Sequence, residues 1–435
     1  MSQPINDDKK ENEKEEKLLL PLPKFKIWWI MIVIYLLYVM DFAVRYVISP
    51  MFPLLKKELL LSDAQLGLLG TIVLAMVAIL SLPLSYVIDK WRRGKSIAIL
   101  AIVWSVGSFF SGLSTNFSQL LISRGILGVG EASYVSGGIA LIGATIKKVR
   151  RALVLSLWGT AVAVGTALGM SLGGVLSVTW GWRATFMIVA VPGIIFGILA
   201  WFLPDYVNKH KKAEEQGGAA SGFAATMKEF FKNKTLVTLC ITFGLVYLYC
   251  NSLIYWMPTY FVRYLNMDIA TAGTISGMVF LAAVLFSPVG GWITDKIAKK
   301  SMRSKAIQSF VGAMLSFICF VLALIFNVVP VFFLPMAFIL FYDPAQKLIT
   351  QEVVPFYQHA TSYGLYLSSM FIFGGLWGPV LTGAISDASD LKTAFWVTAA
   401  IVFVAAFGYL LVYKFYNQDR QVALEKEAKS GLGYS

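Results

Sequence analysis

Long apolar segments alternate with short polar connections along most of the chain. Each segment is close to the about 20 apolar residues that an α-helix needs to cross the hydrocarbon core of a bilayer. The twelve segments are 27–50, 65–88, 96–113, 118–142, 152–177, 184–204, 235–261, 270–294, 304–327, 330–355, 360–386 and 392–415. The pattern predicts an all-α membrane protein with twelve transmembrane helices, and the even number places both termini on one side.

A polar stretch in the middle of the chain separates six predicted helices from six. It is the longest polar connection inside the chain, which is typical of an interdomain linker. The predicted organisation is an N-terminal tail at 1–26, an N-terminal six-helix bundle at 27–204, a linker at 205–234, a C-terminal six-helix bundle at 235–415 and a C-terminal tail at 416–435.

The two predicted halves share an internal repeat. The second predicted helix ends SYVIDK at residues 85–90, and the eighth ends GWITDK at residues 291–296, an offset of 206 positions. Gly67 and Gly273 keep the same offset. A repeat in register indicates two related, pseudo-symmetric bundles.

The charge distribution gives the orientation. Only 14% of the residues are charged, and the mean hydropathy is +0.70. Of the 37 Lys and Arg residues, 29 lie in the tails and connections on the side of the termini, and 5 lie on the opposite side. Because cytoplasmic loops carry the excess of Lys and Arg, both termini and the linker are predicted to be cytoplasmic. The net charge of +13 thus reflects topology, and no nucleic-acid partner is expected.

The sequence shows no pattern typical of a catalytic site, a metal site or a phosphate-binding loop. The three cysteines, Cys240, Cys250 and Cys319, lie inside apolar segments without metal-ligand spacing, and both histidines lie in predicted connections. No phosphate-binding GxxxxGK[ST] loop occurs. No cofactor, metal site or enzymatic activity is therefore predicted.

The ends of the second and eighth predicted helices resemble the signature loop of the major facilitator superfamily. Ser85 and Arg92 occupy positions where that family usually has glycines, whereas Asp89, Lys90, Arg93 and Lys95 match. The resemblance implies two six-helix bundles and a gating motif whose carboxylates and cations pair across the halves in one conformation; anchoring at the cytoplasmic face is the alternative. The residues carried over are Ser85, Asp89, Lys90, Arg93, Lys95, Gly291, Asp295 and Lys296.

The fourth predicted helix resembles two particular branches of that superfamily. Its RGILGVGEASY segment, with Arg124 and Glu131, resembles a pattern of the spinster-like transporters and the anion:cation symporters. The first helix of those branches usually carries an adjacent Asp-Arg pair. Arg45 matches the arginine, Val44 stands where the aspartate is expected, and Asp41 lies one helical turn earlier.

Six ionisable residues fall at membrane depth away from the helix ends. An unpaired charge there costs about 2.5 to 3.5 kcal/mol or more, so each should have a partner or face a cavity. Helical periodicity places the members of each of three pairs along one stripe. The pairs are Asp41 with Arg45, Arg124 with Glu131, and Asp343 with Lys347. They are either structural ion pairs or parts of a transport site.

A transport site favours a division of roles among these groups. Burial favours the protonated form of a carboxyl group, whereas a neighbouring arginine favours its charged form. Glu131, together with Asp41, is therefore the predicted proton-coupling site, and the coupling ion is expected to be H⁺. The predicted substrate-binding residues are Arg45, Arg124, Asp343, Lys347 and, on the seventh helix, Tyr247, Asn251 and Tyr255, although tyrosines at this spacing are also typical of packing.

The expected function is secondary active transport by alternating access, with proton-coupled movement of a small organic anion such as a carboxylate or sugar acid. A spinster-like exporter of lysolipid or another amphiphile is the alternative, and a transport-derived receptor is a further one. The protein is expected to be monomeric in the lipid bilayer. The short first outer loop favours the plasma membrane (the inner membrane of a prokaryotic cell).

Overall fold

Membrane-spanning helices form the fold. The computed structural model describes residues 22–203, 230–355 and 358–430, and these contain 12 helical spans long and apolar enough to cross a membrane. This confirms the all-α prediction. Because several spans are interrupted, the α-helices are α1 Lys24–Tyr46, α2 Phe52–Leu59, α3 Asp63–Lys90, α4 Arg93–Leu113, α5 Phe117–Glu131, α6 Tyr134–Thr145, α7 Lys148–Gly159, α8 Ala161–Thr179, α9 Gly181–Ala200, α10 Lys234–Tyr264, α11 Ile269–Ala283, α12 Phe286–Ala298, α13 Ser304–Phe326, α14 Phe333–Glu352, α15 His359–Ser369, α16 Gly378–Ala388 and α17 Leu391–Ser430.

The last helix extends further than its apolar segment. The hydropathy pattern predicts an end at 415, whereas α17 continues to Ser430. The extension is tied to the rest of the second bundle, because Asp419 accepts a hydrogen bond of 2.7 Å from the Thr235 amide and the Tyr416 hydroxyl donates one of 2.6 Å to Glu352. Most of the predicted linker lies outside the described residues, which resume at Phe230.

Small residues bring helices of the first bundle into close contact. The glycines of α8 lie four residues apart, and their missing side chains leave room for the α1 backbone. Gly165, Gly169 and Gly173 face the backbone carbonyls of Val39, Ala43 and Val47, respectively. A methyl group at any of these positions would displace the α1 backbone, so these glycines determine the distance between α1 and α8.

Several spans are interrupted near their middle. The first leaves α-helical geometry after Tyr46, and the fourth is broken at Ala132 and Ser133 between α5 and α6. The eighth breaks between α11 and α12, and the eleventh contains a π-helical segment, Met370–Gly375. The apolar pattern did not predict these breaks, because hydropathy reports depth in the bilayer and not backbone geometry.

The two bundles meet closely at one end, which we call the sealed end. There Ser49 Oγ lies 2.8 Å from the carbonyl oxygen of Ile254 and 2.9 Å from that of Tyr255, and Gly67 packs against the backbone of Pro379. Helices α8 and α11 cross the same boundary, whereas their continuations α7 and α12 pack within their own bundles. The cleft between the bundles is therefore closed at the sealed end and widens toward the opposite end, which we call the basic end.

Candidate functional site

A buried arginine holds two carboxylates together in the first bundle. Arg45 Nε donates a hydrogen bond of 2.8 Å to Glu131 Oε2, and Arg45 Nη2 lies 3.5 Å from Asp41 Oδ1. Asp41 is 1% exposed, Glu131 3% and Arg45 6%. Charge-assisted hydrogen bonds of this kind are strong where water is excluded. The three side chains form one unit, which we call the carboxylate–arginine cluster.

The cluster lies where two helices end. Arg45 is the penultimate residue of α1, and Glu131 is the last residue of α5. Interrupted helices at membrane depth free backbone groups and give side chains access to a cavity, which is where transporters commonly bind substrate. The breaks therefore place both members of the short hydrogen bond at helix ends.

Arg124 does not pair with Glu131, contrary to the sequence-based pairing. Its guanidinium is fully buried and donates to three backbone carbonyl oxygens. These are Arg45 O at 2.8 Å, Val44 O at 3.2 Å and Leu69 O at 3.4 Å. Two of these carbonyls belong to the last turn of α1, which lacks internal partners. In this conformation Arg124 thus supports the α1 terminus that carries Arg45, while Glu131 reaches across to α1 instead.

Unpartnered polar atoms remain around the cluster. The following buried atoms have no hydrogen-bond partner within the described part of the chain: Asp41 Oδ2, Glu131 Oε1, Asn251 Oδ1 and the Tyr255 hydroxyl oxygen. Buried polar atoms are nearly always paired in folded proteins, so each exception calls for an explanation. A bound substrate, proton or water would supply the missing partners.

The seventh span brings its polar residues toward the same region. Asn251 Nδ2 donates a hydrogen bond of 3.0 Å to the Tyr247 carbonyl oxygen. The Tyr255 ring packs against Gly70 and the ring of Tyr46 across the boundary between the bundles. Asn251 lies 206 positions after Arg45 in the chain. The repeat thus relates an arginine in the first bundle to an amide in the second.

Asp343 and Lys347 form an ion pair in the second bundle, as their spacing predicts. Lys347 Nζ lies 2.6 Å from Asp343 Oδ2, and the two side chains are 46% and 20% exposed. The pair is therefore far more accessible than the carboxylate–arginine cluster. Pro344 lies inside α14 directly after Asp343, where it removes one helical hydrogen bond.

Aromatic residues that the sequence analysis did not select surround the cluster. The Arg45 guanidinium lies 4.5 Å from the centre of the Phe42 ring, which is cation–π geometry. Tyr38 stacks on Trp158 with ring centres 4.2 Å apart. Tyr38 and Phe42 lie four residues apart on α1, as Asp41 and Arg45 do. This helical spacing was the sequence signal that could have identified the two aromatic residues as neighbours of the charges.

The described part of the predicted gating motif stays within its own bundle. Ser85 Oγ contacts Ser133 Oγ and Ser136 Oγ at 3.2 and 2.9 Å, and Lys95 Nζ lies 5.1 Å from the Trp201 ring centre. Lys296 Nζ lies 5.1 Å from the Trp292 ring centre on the same helix. The side chains of Asp89, Lys90 and Arg93 lie outside the described residues. Gly291 lies 4.0 Å from Pro344, measured from its ideal Cβ position, and Asp295 follows on α12.

Charged residues at the sealed end were also not selected from the sequence. Asp63, the first residue of α3, is 1% exposed. Its carboxylate accepts hydrogen bonds of 2.6 and 2.7 Å from the two terminal nitrogens of Arg263. Lys56 Nζ donates to the same carboxylate at 2.7 Å. On sequence alone these residues look like ordinary charges at helix ends, and only the contact between bundles distinguishes them.

The family model of the Major Facilitator Superfamily, a description of that family's sequences, matches residues 34–372, well over half of the chain. The chain belongs to the Major Facilitator Superfamily. It is an integral, multi-pass membrane protein and a transporter of that superfamily. The resemblance inferred from the motifs at residues 85–95 and 124–134 is confirmed, and the relatives are transporters, not enzymes.

Two curated relatives match most of this superfamily transporter. The hexuronate transporter of Bacillus subtilis is 22% identical over 419 residues, covering 93% of this chain and 98% of that protein. A sphingosine-1-phosphate transporter of Xenopus tropicalis is 26% identical over 425 residues, covering 89% and 82%. The solved structure of a bacterial homologue of the human lysosomal transporter spinster, inward-facing and unoccupied, aligns with a TM-score of 0.81 at 21% identity, covering 92% of this chain and 99% of that one. This likeness shows the shared fold.

Proposed function

We propose that this transporter moves a small organic anion, a carboxylate or sugar acid, together with a proton by alternating access. The observation that carries the proposal is the single guanidinium of Arg45, hydrogen-bonded to Glu131 and facing Asp41. Two carboxylates and one arginine can exchange a proton and an anion at the same place. Hexuronate transport by a relative of this chain supports an acidic sugar as the substrate class.

Charge balance links the two ligands. Asp41, Glu131, Arg45 and Arg124 sum to zero when all four are ionised. Protonation of one carboxylate leaves a net positive charge in a buried site, where charges are costly unless paired. A monoanionic substrate would restore neutrality. Proton and anion are therefore expected to enter together and leave together.

Glu131 is the preferred proton carrier because it holds the shorter contact with Arg45. Protonation of Glu131 removes the negative partner of Arg45 Nε and frees that donor for the carboxylate of the substrate. Asp41, 3.5 Å from Arg45, then keeps Arg45 partly neutralised and aligned. Departure of the anion restores the bond to Glu131 and expels the proton.

The second bundle is proposed to hold the rest of the substrate. Asn251 Oδ1 and the Tyr255 hydroxyl are buried and have no partner among the residues that the structure describes, so they are placed to bond to hydroxyl groups of a sugar acid. Tyr247 adjoins Asn251 through its carbonyl. Lys347, 46% exposed beside Asp343, is proposed as a second cation for the carboxylate.

The proposed orientation follows the positive-inside rule. The basic end carries Lys95, Arg303 and other cations of the connections, so it is assigned to the cytoplasm together with both termini. The cleft would then be open to the cytoplasm in this structure. The plasma (cell inner) membrane is the proposed location.

An amphiphile exporter is the second candidate, and one observation favours it. An open apolar groove of about 460 Å³ lies between the fifth and eighth spans, at the breaks beside Thr160 and Leu285. A groove at the boundary between the bundles could admit the acyl chain of a lysolipid. The buried arginines, which suit a compact anion, favour the first candidate.

A reconstituted system tests the proposal. Liposomes containing the protein, with an inward pH gradient, would be supplied with labelled hexuronates, aldonates, monocarboxylates and lysolipids. We expect an acidic sugar or simple carboxylate to accumulate, and accumulation to collapse when a protonophore dissipates the gradient. Movement of lysolipid alone, or anion uptake that ignores the gradient, would contradict proton-coupled anion transport.

A further inference from the structure

The sealed end contains an ionic connection that links the bundles in both directions. The Asp63 carboxylate of the first bundle accepts hydrogen bonds from two residues of the second bundle. Arg263 donates both of its terminal nitrogens, and Ser386 Oγ donates at 2.5 Å. In return, Asp387 of the second bundle accepts hydrogen bonds of 2.8 Å from the backbone amides of Asp63 and Ala64. Each bundle thus offers a carboxylate to donors of the other.

The position of Asp387 gives its bonds a specific character. The amides of Asp63 and Ala64 belong to the first turn of α3, where backbone N–H groups lack partners inside the helix. The same helix end carries partial positive charge, which favours a carboxylate. Asp387 therefore caps α3 from the opposite bundle, and this cap is lost if the bundles separate.

The corresponding boundary on the other side of the molecule is built differently. The offset of 206 relates the start of α3 to the start of α11. There Asp268 caps its own helix through the Thr271 amide at 2.9 Å, and Gly174 and Gly277 pack against backbone of the opposite bundle. Contacts of small residues close that boundary. The α3–α16 boundary has such contacts as well, at Gly67 and Gly383, and adds the charged groups of Asp63, Arg263 and Asp387.

We propose that Asp63, Arg263, Ser386 and Asp387 form an ionic lock that holds the transporter closed at this end and must be released for this end to open. The inference rests on the alternating access of the proposed function, but not on the proton or on the chemistry of the substrate. Bonds made in one conformation only shift the equilibrium between two conformations by their free energy.

Lys56 makes release of the lock reversible. It belongs to the first bundle and lies 2.7 Å from Asp63 Oδ1. When the bundles separate, Asp63 keeps this cation as a partner, and Arg263 passes into water. The buried carboxylate is not left alone, so opening does not carry the large penalty of an unpaired buried charge.

A distance measurement across the sealed end tests the lock. Spin labels would be attached at Lys57→Cys and Ser389→Cys, both exposed, after replacement of Cys240, Cys250 and Cys319 by serine. Pulsed electron paramagnetic resonance in liposomes then reports the populations closed and open at this end. We expect Arg263→Gln to raise the open-to-closed ratio about tenfold or more, the effect of one charge-assisted hydrogen bond.

Three further variants make the result specific. Arg263→Lys keeps the charge and should restore most of the closed population. Asp387→Asn, at an exposed position where misfolding is not a concern, should also favour the open state, by less because water screens it. Asp268→Asn, a carboxylate at the same end that bonds within its own bundle, is the matched control and should match the unmodified protein.

Two results would overturn the lock. One is an unchanged distance distribution in both Arg263→Gln and Asp387→Asn. The other is a shift of equal size in Asp268→Asn, which would mean that any lost charge at this end acts alike. Because the measurement needs no substrate, its failure is separate from a failure of proton-coupled anion transport, which only the uptake experiments can reveal.

Discussion

Arg45 Nε and Glu131 Oε2 lie 2.8 Å apart although 86 residues separate them in the chain. The bond joins the end of α1 to the end of α5, so a change in the charge of Glu131 acts directly on the arginine proposed to hold the substrate. Every coupling prediction for this transporter depends on that contact.

Arg45→Lys tests whether the shape of the guanidinium matters as well as its charge. Arginine faces Glu131 and Asp41 with separate nitrogens, whereas the ammonium of lysine is a single point of charge. We expect apparent affinity for the anion to fall at least about tenfold, the effect of losing about 1.4 kcal/mol of binding free energy. Concentration dependence of counterflow in liposomes measures it. An unchanged affinity would remove Arg45 from the substrate site.

Arg124→Gln tests whether Arg124 supports the α1 terminus. The substitution removes charge-assisted bonds to the carbonyls of Val44, Arg45 and Leu69, each worth about 1.5 to 3 kcal/mol. We expect thermal unfolding in detergent to shift down by several degrees even without substrate. If Arg124→Gln keeps its thermal stability and loses only substrate affinity, Arg124 is a substrate ligand instead.

Gly169→Ala should loosen the first bundle. A methyl group at this position meets the Ala43 backbone, and overpacking typically costs about 1 to 3 kcal/mol. We expect a lower unfolding temperature. Gly143→Ala, whose methyl group has no neighbour within 4 Å, is the matched control and should be neutral or slightly stabilising. Equal behaviour of the two variants would show that contact between α1 and α8 is not tight.

Lys347→Gln tests the second proposed cation. Lys347 is partly exposed and paired with Asp343, so solvent weakens the pair and its loss should hardly affect folding. We expect a higher concentration for half-maximal uptake with an unchanged ratio of internal to external substrate at a fixed pH gradient. A lower accumulation ratio at saturation would instead assign the pair to proton coupling.

The twelve spans could be predicted from the sequence because apolar length in a bilayer is a one-dimensional property. The pair Asp343 and Lys347 could be predicted as well, since both residues lie on one helix and the helical period brings them together. The bond between Arg45 and Glu131 could not, because it crosses between helices and depends on where α1 and α5 end. The available pattern pointed to Arg124 instead, which shares a stripe with Glu131.

The lock illustrates the same limit at the sealed end. Asp63 and Arg263 are 200 residues apart, and each occurs where charged residues commonly flank a membrane helix. Nothing along one helix distinguishes a flanking charge from an ion pair between bundles. Only the docking of α3 against α16 shows that Asp63 is buried and that Asp387 reaches its backbone.

Accumulation by Glu131→Gln is the measurement that tests the central claim most directly. Glutamine keeps the size of the side chain and cannot release a proton. With the anion identified by the uptake panel, liposomes containing either protein would be compared for accumulation driven by a pH gradient and for exchange of anion at equal pH. The proposal predicts that Glu131→Gln still exchanges the anion but does not concentrate it. Accumulation equal to that of the unmodified protein would contradict proton coupling through Glu131.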